Sequence, residues 1–480
     1  MKPLITLTLG CILLFASARA QTQAFSPVAE DQPLLTSLCA KYKKNYQEEV
    51  DKLPVKNRKD LLDLYTERWK NVQEKFDKEE IYTSPFAQGY LDAMVAEVRR
   101  SNPQLRDRSF TCYFSRSWIP NASYIGEGII LFNMGLFQRL NNESEVAFVL
   151  CHEIAHFLLQ HTEKAIVRYV DAINSADVQT ELRKIKDSEY RKRERVDQLV
   201  KGLTFDSRRH SRDHESEADS LGLELLRHTR FDPTGALSAM ALLDVIDRDT
   251  LDTEGCLKKI FNSVNYPFRK KWIARGNGLL GSHAEMQRSD REEDSLKTHP
   301  DCPLRIKLLT ALMGKGGQEG QGGTALIGKD KQGGTLPIGK DGQAGTPAFA
   351  VDREKFENLK AVCRYEAIEW AYASNLYTRA LYLGLDLLQA DPSDPYLVAQ
   401  VGRAMNGLYA AQKDHRLSKV VDLPGPGYSP NYNTLLQFIQ NLYLEDIAGI
   451  SYNYLSGFHP QMDDYAAFKS AYTQSAQIAK

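Results

Sequence analysis

The sequence predicts an α+β chain, mostly helical, with a small β-sheet beside one long apolar helix and a second helical unit beyond a glycine-rich linker. Three observations carry this. Apolar residues recur at helical spacing over most of the 480 residues. Short β-type runs cluster between about residues 110 and 133. Between Gly314 and Thr346 lie 12 of the 31 glycines, a break in composition that separates two helix-forming stretches.

Composition sets the bounds. At 42% hydrophobic residues, with 19 Phe and 23 Tyr, the chain can bury one large core or two moderate ones, which excludes disorder for its bulk. The 61 basic residues are balanced by 62 acidic ones, which argues against dependence on nucleic acid. The first twenty residues stand apart: Lys2, an apolar stretch from Leu4 to Phe15, and Ala18-Arg19-Ala20 as a small-x-small cleavage site. They read as a secretory signal peptide cut after Ala20, since the apolar stretch falls short of the ~20 residues a membrane span needs. Cleavage takes the formal charge from −1 to about −3. No later segment is long and uncharged enough to span a bilayer, so the expected location is extracytoplasmic, periplasmic or secreted. Six cysteines then remain, Cys39, Cys112, Cys151, Cys256, Cys302 and Cys363, with no CxxC pattern and no pairing that the spacing decides.

Residues 21–83 form an N-terminal helical segment, charged and amphipathic, without chemistry. Ser84-Pro85 opens a clearer helix carrying Leu91, Met94, Val95 and Val98. Phe110 to Phe114 and the apolar run Ile129-Ile130-Leu131-Phe132-Asn133 read as strands. Asn142, with Glu145 three residues on, reads as a capping box for a long apolar helix over about 143–161. Residues 182–201 mix basic and acidic residues as a solvated helix face does, and their place between metal-ligand candidates suggests part of a lid. Residues 314–348 contain an eleven-residue repeat and read as a flexible linker. Residues 349–480 are helical again. Ala380, Pro392 and Gly402 fall at tetratricopeptide-repeat spacing, and an ordinary helical hairpin accounts for them equally well.

The chemistry concentrates at His152-Glu153-Ile154-Ala155-His156. Residues four apart share a helix face, so both imidazoles can bind one tetrahedral metal. Glu153 then reaches a water at the metal instead of the metal itself, as a general base must. A chance His-Glu-x-x-His is expected only on the order of 0.01 times in a chain of this composition. For the third ligand, a glycine three residues after His156 and a histidine six after it are missing, since Leu159 and Thr162 stand there. His161 points off the ligand face and reads as a helix-terminal histidine. The stretch His214-Glu215-Ser216-Glu217-Ala218-Asp219 offers Glu215 to complete a His-His-Glu site, with Asp219 one turn on to hold a ligand histidine by its other nitrogen. Ala218 and Gly222 leave one flank small enough for close packing. Glu217 and His214 read as solvated surface.

These motifs together resemble the gluzincin peptidases of the HtpX and BepA type, kin of the CAAX prenyl endoprotease. The resemblance runs in order over residues 84–313, through Ile129 to Leu136, Glu145, His152 to His156, Glu215 to Asp219, and Thr298-His299-Pro300 with Arg305-Ile306. It implies a zincin-like catalytic domain and one zinc per chain, held by His152, His156 and Glu215, with Glu153 and His299 catalytic. It makes Asp219 and Arg305 supporting residues, and Ile129, Ile130, Leu131, Phe132 and Asn133 an edge strand that binds extended substrate. The soluble, exported layout implies protein or peptide substrates, misfolded envelope proteins among them, and a protein partner through the C-terminal helices. Two other readings stay open: a chaperone-like binder with weak or gated peptidase activity, and a zinc hydrolase of a cell-wall amide.

Overall fold

The computed structural model describes residues 25–187, 211–274, 302–315, 326–329, 335–338 and 348–480. The expected signal peptide, most of the 182–201 segment and Thr298-His299-Pro300 lie outside the described residues. As expected, the chain is mostly helical with a small three-stranded sheet.

Helices α1 (Gln32–Asp51) and α2 (Arg58–Asp77) form an N-terminal hairpin, with the Asp31 carboxylate capping the first at the Leu34 N–H. Helix α3 (Pro85–Ser101) leads into strands β1 (Thr111–Ser115), β2 (Ala122–Gly126) and β3 (Ile129–Asn133). The strand order is β1-β3-β2, with β1 parallel and β2 antiparallel to β3. Ile129 and Leu131 face Tyr42, Trp69 and Phe76 of the hairpin, while Ile130 and Phe132 face the main core with Leu91 and Ile154. A continuous apolar run is what a strand buried on both faces requires. This corrects the substrate-binding role expected of Ile129–Asn133: β3 is the central strand, paired on both sides, and has no edge to offer. The edge next to the metal helix belongs to β2.

That helix, α4 (Glu143–Leu158), is buried along nearly its whole length. The Asn142 side chain accepts from the Glu145 N–H at 3.0 Å, and the Glu145 carboxylate reaches back to the Asn141 N–H at 2.7 Å, one residue earlier than in a capping box. The helix stops three residues short of the expected end. Gln160 adopts a left-handed φ of 53°, and the chain turns into α5 (His161–Ile173), followed by α6 (Ala176–Asp187).

A helix over 211–227 (α7) crosses the metal helix, and α8 (Gly235–Val245) packs alongside it. Helix α9 (Thr253–Ile260) comes next, then α10 (Cys302–Lys315) against α8. Inside the expected linker, Leu326–Lys329 and Thr335–Ile338 pair antiparallel as β4 and β5, one strand from each repeat.

The C-terminal helices interlock with the rest. Helix α11 (Arg353–Ala373) sends Phe356, Leu359 and Cys363 into the same core as the metal helix. In return Cys256, Leu257, Phe261 and Trp272 join the second core, formed with α12 (Tyr377–Leu388), α13 (Pro395–Lys413), α14 (Pro430–Asn441), α15 (Leu444–Ser456) and α16 (Ala466–Ile478). Ala380 is buried on α12, and Gly402 on α13 lets Leu455 approach so closely that a Cβ would meet it at 2.6 Å. Buried Arg116 ties three parts together, lying 2.7 Å from Glu30 and 3.1 Å from Glu366. Among the described residues no disulfide joins the six cysteines. No described helix is long and apolar enough to cross a membrane.

Candidate metal centre

His152 and His156 project from one face of α4, and α7 brings Glu215 to them. Their Nε2 atoms lie 3.0 Å apart, and the Glu215 oxygens lie 3.5 Å from each. Tetrahedral zinc with donors at about 2.0–2.1 Å needs them about 3.3 Å from one another, so this triangle fits the ion. The electrostatics of the site favour positive charge. Two imidazoles facing each other nitrogen to nitrogen cannot both be protonated. Burial and the neighbouring His152 push His156 down to about 3. Burial opposes charge on His152 too, but Asp219 and Glu215 outweigh it and lift the ring to about 10. Glu215 stays ionised despite burial, because His152 and Arg305 hold it well below the usual carboxylate range. Among the described residues, this is the one group of three His, Cys, Asp or Glu side chains converging as metal ligands do.

Asp219 sits one turn beyond Glu215, fully buried, with Oδ1 3.0 Å from His152 Nδ1. Arg305 of α10 donates to both Asp219 oxygens at 2.7 and 2.8 Å and lies 3.0 Å from Glu215. One guanidinium thus holds a ligand and the carboxylate behind another ligand in fixed register. Glu153 points into the cleft, where it accepts the Tyr124 N–H at 2.8 Å. Burial raises its carboxyl to about 7, against the lowering pull of His152 and of that N–H.

The cleft has a volume of about 330 Å³ and is lined by the three ligand residues, Glu153, Arg305, Asn121 and the Ala122–Tyr124 part of β2. Ile129–Asn133 do not line it. His299 lies outside the described residues. Tyr124 was not anticipated, because nothing in its spacing marks a backbone donor.

The reading of His161 as a helix-terminal histidine off the ligand face needs correction. His161 is 4% exposed and starts α5, with Nδ1 2.8 Å from His156 Nδ1 and Nε2 3.1 Å from Glu217. His214 stacks on it with ring centroids 4.2 Å apart. On a continued helix His161 would face away, and the left-handed turn at Gln160 brings it back. That turn falls on a non-glycine residue, so the sequence carries no signal for it.

A helix bearing two histidines with a glutamate between them, completed by a glutamate from a second helix, is the gluzincin arrangement. Residues 85–313 match the model of peptidase family M48, and this segment belongs to that family. M48 peptidases are zinc-dependent, so the family and the geometry agree on a metallopeptidase centre. No curated protein matches the chain.

Proposed function

We propose that the chain is an exported zinc metalloendopeptidase acting on unfolded or flexible proteins. The observation that supports this most is the triangle of His152, His156 and Glu215 with Glu153 beside it in an open cleft. Bound zinc would supply Lewis acidity to the scissile carbonyl and acidify water in the cleft. Glu153 takes the proton from that water and returns it to the departing amine, and a carboxyl with a pKa near neutrality suits both transfers. The Tyr124 N–H keeps the Glu153 carboxylate turned into the cleft. The β2 edge offers main-chain groups to an extended peptide, which favours substrates without fixed structure. Export rests on the signal-peptide pattern of residues 1–20. The test is digestion of a denatured protein mixture by the purified chain, with and without a zinc chelator. Internal cuts that the chelator abolishes support the proposal, and an intact mixture defeats it.

A further inference from the structure

The two ligand histidines are held from behind in different ways. His152 has the buried carboxylate of Asp219, itself gripped by Arg305. His156 has a second histidine, His161, whose far nitrogen meets Glu217. We propose that His161, backed by Glu217, is the positioning residue that fixes the tautomer and ring plane of His156 for metal binding. The inference rests on the metal-centre reading given above.

Proton placement follows from the geometry. His156 Nε2 faces His152 and Glu215, so a ligand lone pair on that atom requires the ring proton on Nδ1. The partner of Nδ1 is His161 Nδ1 at 2.8 Å, which must therefore accept. The proton of His161 is then on Nε2, 3.1 Å from Glu217 Oε2, and the carboxylate accepts it. Each proton has one acceptor, and the relay runs Glu217, His161, His156. The ring stack with His214 (interplanar angle 6°) fixes the plane of His161. Three helices contribute: α4 the ligand, α5 the intermediate histidine, and α7 the carboxylate. The terminal Glu217 is 59% exposed, whereas Asp219 is fully buried. The backing of His156 is therefore the softer of the two.

The test is zinc affinity, read by competition with a chromogenic chelator on the full chain, alongside thermal unfolding of the metal-free protein. Phe at 161 keeps the ring and its stacking but has no acceptor. Asn places its carbonyl oxygen close to where Nδ1 stands. Removing a partner that orients a metal ligand costs about 10–100-fold in affinity. His161→Phe is expected to fall in that range, His161→Asn to stay close to wild type, and Glu217→Gln to lose less than His161→Phe. Unchanged affinity in His161→Phe overturns the proposal, and so does an equal loss in His161→Asn. Should His161→Phe fold poorly, His161→Gln replaces it, because Gln reaches the Nε2 position instead. Tighter zinc binding by Asn than by Gln supports the relay, and equal binding overturns it. If wild type takes up no zinc, the metal-centre reading falls and the relay with it. Wild-type uptake with indifferent variants defeats the relay alone.

Discussion

Gly222 lies directly against His152: a Cβ added to it would sit 3.1 Å from both the Cα and the backbone nitrogen of that ligand. The helix that supplies Glu215 is thereby pressed against the helix that supplies the two imidazoles, and the absence of a side chain sets their separation. Substituting Gly222→Val pushes the two helices apart. The expected outcome is a loss of about 1–3 kcal/mol in unfolding free energy, the usual cost of overpacking a tight core. Zinc affinity should fall in parallel, because Glu215 retreats from the histidines. Denaturant titration and chelator competition on the same variant check both effects.

Arg305 is the cation shared by the buried Asp219 and the half-buried Glu215. Arg305→Met keeps much of the side-chain volume and leaves Asp219 without its two hydrogen bonds and Glu215 without its ion pair. Breaking a buried pair by removing one partner costs about 3–5 kcal/mol. A thermal unfolding curve close to that of wild type would show that Arg305 is a bystander.

The interlocked cores predict that residues 349–480 cannot be removed as a module. The Glu143 carboxylate, at the start of the metal helix, accepts the N–H groups of Ala350, Val351 and Asp352, each at 2.7 Å. Truncation after residue 348 strips those donors and removes Phe356 and Leu359 from the core that supports the site. The expected product has no cooperative unfolding transition and no zinc site. A truncated chain that unfolds cooperatively and binds zinc would contradict this packing.

The Glu30–Arg116–Glu366 cluster predicts a dependence on pH. Burial lifts Glu366 to about 7, with Arg116 pulling the other way and Glu30 and Glu369 adding to the rise. A carboxyl whose folded-state pKa lies above its unfolded value near 4.5 favours the fold fully below that value. The contribution is lost as pH rises through about 7. Glu366→Gln has no such titration, so its melting temperature should gain on wild type between pH 5.5 and pH 8. A difference that stays constant with pH would sink the assignment.

Much of this was legible because helix periodicity is local. The four-residue spacings of His152 with His156 and of Glu215 with Asp219 place each pair on one face wherever those helices lie. The small residues Ala218 and Gly222 announced the close crossing. The edge strand was misplaced although its signal was present: Ile129 to Phe132 is apolar without alternation, the mark of a central strand, while Ala122-Ser123-Tyr124 has the mixed character of an edge. What lay beyond reach is non-local. Nothing near Glu143 says that its partners stand some two hundred residues away, and nothing near His161 says that Gln160 turns the chain back.

The most direct test of the whole account is zinc content measured together with proteolysis for wild type, Glu215→Gln and Glu153→Gln. About one zinc per chain is expected in wild type and in Glu153→Gln, and a large loss of metal in Glu215→Gln. Hydrolysis of denatured casein should survive in wild type and drop by orders of magnitude in both variants. Full zinc occupancy in Glu215→Gln, or undiminished hydrolysis by Glu153→Gln, would contradict it.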